Sequence, residues 1–261
     1  MSATADHVAD IAFEASDLAA GAELFHKALL EHDVVRVRPQ GDLGDYREYY
    51  DRMVETIGDP VEIAEDYASG GAPTGERWSP IIYDTAVPDN VAFRHSKNAQ
   101  PLHTDESYVS SEIGVMFFYC ERAAPSGGET VFVPGPLLIE YLGANEPELL
   151  ERLTTMPVTY GKATDTKTRP IIEVAADGKP NFNYNYYCVA PDQDPAAVQL
   201  NADFFEFCQE RLPSELIHPV DLKPGEGVAW KDYFVLHGRN SFEAHVTGDR
   251  TIWKTGIRWP T

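Results

Sequence analysis

Basic residues are scarce in this chain. Its 261 residues hold 21 Lys plus Arg against 42 Asp plus Glu, a formal net charge of −21. A field of that sign repels phosphate backbones and anionic lipid, so neither nucleic-acid nor membrane-surface binding is expected. Cysteine is scarcer still. Cys120, Cys188 and Cys208 are odd in number and lack CxxC spacing, which argues against a disulfide framework or a zinc knuckle. No run approaches the roughly 18 apolar residues needed to cross a bilayer, and Met1–Asp10 lacks the basic and apolar regions of a signal peptide. Internal repeats, low-complexity tracts and linker-like stretches are absent too. The expectation is one domain over residues 1–261, cytoplasmic, working on a small molecule, with an oligomer left open.

What is present begins, after a short polar arm, with a helix over Ser16–Glu31, in which Leu18, Ala22, Phe25 and Leu29 recur at helical spacing and Ser16 stands at the N-cap. Val34–Val37 reads as a strand. Leu43–Ile57 reads as a second helix with Tyr46, Tyr50, Met53 and Ile57 as its buried stripe. The Gly/Pro-rich stretch Asp66–Pro80 reads as a loop, a candidate lid. From Val91 onward short β-rich runs dominate: Ile113–Glu121, Thr130–Val133, Pro157–Tyr160, Pro170–Val174, Asn181–Val189, Gly227–Lys231, Phe234–His237 and Thr251–Trp259. Helical inserts over Leu137–Thr154 and Asp194–Leu212 interrupt them. Many short strands with Gly/Pro turns predict a mostly β protein, a sandwich or barrel with flanking helices. On this reading residues 1–90 pack on a core of 91–261.

Two of the eight histidines have informative surroundings. In the segment His103-Thr104-Asp105, extended backbone turns residues i and i+2 to one face, so an imidazole and a carboxylate converge. His237, ending the apolar run Tyr233–Leu236, supplies a candidate third ligand. Two His and one carboxylate form the facial set of a non-haem Fe(II) site. Each residue alone also has an ordinary reading, as a hydrogen-bonded histidine or a strand-end polar residue. Further chemistry stands at matching places. Gly127-Gly128-Glu129-Thr130 enters a strand, and Arg250 follows His237 by 13 residues. That spacing puts the arginine on the next strand of a hairpin, facing the same interior, where its planar fork suits a carboxylate.

The ordered set resembles the taurine dioxygenase family of Fe(II)/2-oxoglutarate-dependent oxygenases, which includes clavaminate synthase-like enzymes. The resemblance rests on Leu102–Tyr108, on Phe117–Cys120 leading into Gly127–Thr130, on Val235–Phe242 and on Arg250. It implies a double-stranded β-helix, or jelly roll, with His103, Asp105 and His237 on the iron. It also implies that Thr130 and Arg250 hold the distal carboxylate of 2-oxoglutarate, with O2 as the third participant. Two departures stand out. Asp232-Tyr233 replaces the usual Asp-Asn, and the loop Ser241–Asp249 is long, which makes Arg258 and, less so, Arg239 rivals for the clamp. The carboxylate at Asp105, where halogenating relatives carry a small residue, implies hydroxylation of a C–H bond with release of succinate and CO2. Desaturation or cyclisation by the same chemistry stays open. Asn98, Gln100 and Lys254 are candidate contacts to a small, polar, amino-acid-like substrate. Asn181–Tyr187 reads either as a strand lining a polar pocket or as one with Phe182, Tyr184 and Tyr186 on an aromatic core face. A zinc hydrolase and a non-catalytic jelly-roll binding module are the alternatives from other classes.

Overall fold

The computed structural model describes residues 7–61, 76–90, 92–108, 113–162, 165–175 and 178–259. The chain opens with β1 (Val8–Glu14), α1 (Leu18–Glu31), β2 (Val34–Gln40) and α2 (Tyr46–Ile57). The strands β3 (Asp59–Val61), β4 (Ser79–Ile82), β5 (Gln100–His103), β6 (Ile113–Arg122), β7 (Ser126–Gly127) and β8 (Thr130–Pro134) follow. The helical pair α3 (Gly135–Asn145) and α4 (Pro147–Thr155) leads to β9 (Pro157–Lys162), β10 (Asp165–Pro170), β11 (Ile172–Val174) and β12 (Pro180–Phe182). Beyond α5 (Pro195–Glu206) come β13 (His218–Val220), β14 (Gly227–Lys231), β15 (Val235–Arg239), β16 (Phe242–Glu243) and β17 (Thr251–Arg258). The protein is mostly β with helices. No helix among the described residues is long and apolar enough to cross a membrane.

Two sheets carry the architecture. The larger has seven strands in the order β1-β2-β14-β6-β17-β3, with β4 also on β17; the smaller has four, β13-β8-β15-β5. β6 explains how they stack. Its run IGVMFFYC has no polar alternation because both faces are covered. Val115, Phe117 and Tyr119 point outward to α1 and α2, where they meet Phe25, Leu29, Tyr50 and Met53. Met116, Phe118 and Cys120 point inward and meet Phe132, Val220 and Val235 of the smaller sheet. Burying each of these large side chains contributes about 1.5–3 kcal/mol. A third apolar cluster joins the back of the smaller sheet to α3, α4 and α5, with Tyr160, Phe182, Tyr184 and Phe204 at its centre.

Several expectations are corrected. The opening segment is not a polar arm: Ala9, Ile11 and Phe13 alternate with Asp10 and Ala12, and β1 pairs in parallel with β2. The first helix is capped one residue later, by Asp17, whose carboxylate accepts from Ala20 N at 3.1 Å. The second starts at Tyr46 behind Asp45, which accepts from Glu48 N. Most of the loop Asp66–Pro80 lies outside the described residues, and its end, Ser79–Pro80, belongs to β4. Pro170–Val174 divides between β10 and β11, and Asn181–Val189 keeps its strand only to Phe182 before a tight turn at Tyr186–Cys188. Among the described residues up to Asn90, β1 to β4 take part in the larger sheet while α1 and α2 pack on its outer face.

The pairing that matters most for chemistry is β5 on β15, which sets His237 directly opposite His103. Gly238 permits it, because a Cβ there would come within 2.7 Å of the Gln100 carbonyl oxygen. Gly238→Ala should therefore destabilise the protein by about 1–3 kcal/mol in urea denaturation, the usual cost of overpacking a tight contact. An unchanged midpoint would show that β5 yields freely.

Candidate active site

The site forms where the smaller sheet meets the turn after β5. His103 ends β5, His237 lies across from it on β15, and their rings are 4.2 Å apart, centroid to centroid. Asp105 arrives from the turn. Thr104, fully buried between them, anchors that turn by donating its backbone N–H to the Tyr184 carbonyl at 2.7 Å. One oxygen of Asp105 is 3.8 Å from His103 Nε2 and the other 3.5 Å from His237 Nε2. Ligand atoms from all three residues lie within 4.8 Å of one another, a group that could hold a metal ion.

Electrostatics prepare these groups for a cation. Burial lowers the pKa of both imidazoles, and for His237 the neighbouring His103 lowers it further. Both rings are thus kept neutral, the form that binds metal. The Pro101 carbonyl lies 2.9 Å from His103 Nδ1 and accepts its proton, leaving Nε2 for the centre, where Gln100 Nε2 is 3.1 Å away. Burial pushes the Asp105 carboxyl up, but Lys254 and the two histidines outweigh it and hold it well below the usual carboxylate range. The Lys254 ammonium is 2.9 Å from Asp105 Oδ1. Asp105 Oδ2 is buried without a hydrogen-bond partner. A carboxylate oxygen so placed, beside two imidazole nitrogens, fits a divalent ion.

Arg250 immediately precedes β17 and is fully buried. Its guanidinium donates to the Gly128 carbonyl at 3.1 Å and lies over the Phe242 ring. Burial lowers its pKa to about 10, so it remains charged at neutral pH. No carboxylate pairs with it among the described residues. Gly128, at φ +83°, leaves it room, since a Cβ there would come within 3.1 Å of Arg250 Nε. Thr130, buried at the start of β8, lines the same cavity as Arg250. The expected hairpin does not exist: β15 and β17 belong to different sheets, and the two faces meet across the interior. The rivals are otherwise engaged. Arg258 is exposed and pairs with Asp59 at 2.9 Å. Arg239 donates to the carbonyls of Phe93, Ser96 and Asn98, holding that segment against β15.

His103, Asp105, Thr130, His237, Arg239 and Arg250 line one cavity of about 800 Å³. Asn98, Gln100 and Lys254 reach it, as do Tyr108, Lys162, Tyr186 and Tyr187. Phe182 and Tyr184 lie in the core, while Tyr186 both packs against the core and faces the cavity. Lys162, which donates to Tyr108 Oη at 3.2 Å, comes from β9, and nothing in the sequence near it signals a site. Asp232 was legible only as the retained half of the usual Asp-Asn pair, with Tyr233 in place of the asparagine. It is fully buried; burial first, then Asp105 and Glu106, push its carboxyl well up.

Comparison with known proteins places the chain in a family. Gamma-butyrobetaine dioxygenase of Homo sapiens is 26% identical over 196 residues, 69% of this chain and 50% of that protein. The chain thus spans about half the length of the curated relatives it matches. A taurine dioxygenase from Burkholderia xenovorans shares the fold, with a TM-score of 0.64 at 16% identity, covering 96% of this chain and 87% of that one. So does an asparagine oxygenase solved with Fe(II), 2S,3S-3-hydroxyasparagine and succinate, with a TM-score of 0.66 at 12% identity over 95% and 92% of the two chains. Residues 3–255 match the model of the taurine catabolism dioxygenase TauD, TfdA family. With nearly the whole chain matched, this protein belongs to the TauD/TfdA family.

Proposed function

We propose that this chain is an Fe(II)/2-oxoglutarate-dependent oxygenase that hydroxylates a C–H bond of a small, polar, amino-acid-like substrate. The observation that carries the reading is the convergence of His103, Asp105 and His237 in a cavity shared with a buried arginine that has no acidic partner among the described residues. His103, Asp105 and His237 would hold the iron. Bound iron would supply the oxygen chemistry, coupled to conversion of 2-oxoglutarate and O2 into succinate and CO2. With only these three side chains as ligands, the co-substrate and oxygen would find room at the same ion. Arg250, with the Thr130 hydroxyl beside it, would take the distal carboxylate in a desolvated setting where a charge-assisted pair is strong.

Lys254 keeps Asp105 ionised, and Asn98 and Gln100 are left to address the substrate. The cavity carries Arg94, Lys162, Arg239, Arg250 and Lys254 against Asp89 and Asp105, a cationic interior in an acidic protein. That sign suits a substrate bearing a carboxylate, as amino acids do. The asparagine oxygenase solved with hydroxyasparagine and succinate supports this substrate class. A zinc hydrolase or a binding module would leave the buried Arg250 without a role. The two stacked sheets are read as the jelly roll of this family in a single domain, acting in the cytoplasm. Desaturation and cyclisation are other outcomes of the same chemistry.

Two measurements test the proposal. His103→Ala should abolish succinate formation from 2-oxoglutarate while leaving the thermal unfolding transition in place, and full turnover by that variant would refute the ligand assignment. Arg250→Gln should raise the KM for 2-oxoglutarate roughly ten- to hundred-fold, from the loss of a charge-assisted pair worth about 1.5–3 kcal/mol. An unchanged KM would place the clamp elsewhere.

A further inference from the structure

We infer that Asp232 is a positioning residue that holds two of the three metal ligands in register, an inference that rests on the metal reading above. Asp232 sits in the turn joining β14 of the larger sheet to β15 of the smaller one. Three N–H-bearing groups from separate parts of the chain surround its buried carboxylate. Trp230 Nε1 donates to Oδ1 at 3.0 Å, and the backbone N–H of Asp105 donates to Oδ2 at 2.9 Å. His237 Nδ1 lies 3.5 Å from Oδ1, buried and without any hydrogen-bond partner. When His237 binds a metal through Nε2, its proton resides on Nδ1 and faces that oxygen. One side chain then fixes the backbone of the carboxylate ligand and the ring orientation of the distal histidine, with Trp230 locking its own rotation.

The geometry also says why an amide cannot serve. Burial, Asp105 and Glu106 work against the ionised form, but both oxygens of Asp232 face N–H donors and no acceptor, so the carboxylate is the form its surroundings can satisfy, and a cation at the site would favour it further. An asparagine of the same shape would turn its NH2 against one of those donors, leaving a buried donor unsatisfied. The isosteric change is therefore expected to act like a truncation, which a purely space-filling role would not produce.

The experiment titrates the full-length protein with Co(II), reading affinity by calorimetry and ligand geometry by the visible d–d bands. Asp232→Asn is expected to weaken Co(II) binding by about 10- to 100-fold, the usual loss when the partner of a metal-bound histidine is removed, and to alter the d–d spectrum. Wild-type affinity and spectrum in a folded Asp232→Asn protein would overturn the inference. Should that variant fail to fold, Trp230→Phe frees Oδ1 while keeping the carboxylate. A changed d–d spectrum then supports the inference, and an unchanged one overturns it. His103→Ala separates the two levels. If wild type binds no Co(II), or His103→Ala binds it as well as wild type, the metal reading itself fails and this inference falls with it. If only His103→Ala loses binding and Asp232→Asn keeps the wild-type spectrum, the metal reading stands and the role of Asp232 is refuted.

Discussion

The structure turns on removing two imidazoles and a carboxylate from water at one point. An ionised carboxylate buried alone is costly, and a buried pair of histidines loses its charged form. Here the cost is met by composition of the site itself. Lys254 from the larger sheet reaches Asp105 of the opposite wall at 2.9 Å, and the rings of His103 and His237 stay neutral. The Lys254–Asp105 pair therefore forms only when the two sheets are stacked. Phe118 and Trp230, which stack edge to face beside the site, fill the same interface with apolar surface.

Charge is distributed to the same end. The chain carries 21 more acidic than basic groups, yet its cavity is lined by five cations and two acids. Four of those cations have internal partners: Arg239 on backbone carbonyls, Lys254 on Asp105, Lys162 on Tyr108 and Arg94 on Ser79. Arg250 makes one such bond, to the Gly128 carbonyl, and lies over the Phe242 ring, whereas Arg239 is held by three carbonyls. Desolvation in such a place strengthens a bond to an incoming carboxylate and penalises a neutral replacement.

Local chemistry was readable where one short segment carries it. The even offset from Arg250 to Lys254 expresses a strand periodicity, while Asp105 reaches His103 from the turn after β5, and the structure places His103, Asp105, Arg250 and Lys254 on one cavity. β6 was readable as a strand because an unbroken apolar run bounded by turns has few other uses. β1 escaped notice because its alternation mixes alanine with acidic residues, and only the parallel partner β2 makes it a strand. The long reading of Asn181–Val189 failed because alternation continues past Phe182 while Thr104 captures the backbone at Tyr184.

From its residues alone this chain determined its helices, most of its strands, its acid excess and which His and Asp residues could meet at one point. Those are properties of neighbouring residues, governed by periodicity and side-chain type. Tertiary structure decided that Arg250 and His237 belong to opposing sheets rather than one hairpin, that Lys254 meets Asp105, and that Asp232 stands between Asp105 and His237. Each of these is a contact between strands distant in sequence. Such contacts are set by how the apolar faces of two sheets stack, which no local spacing encodes.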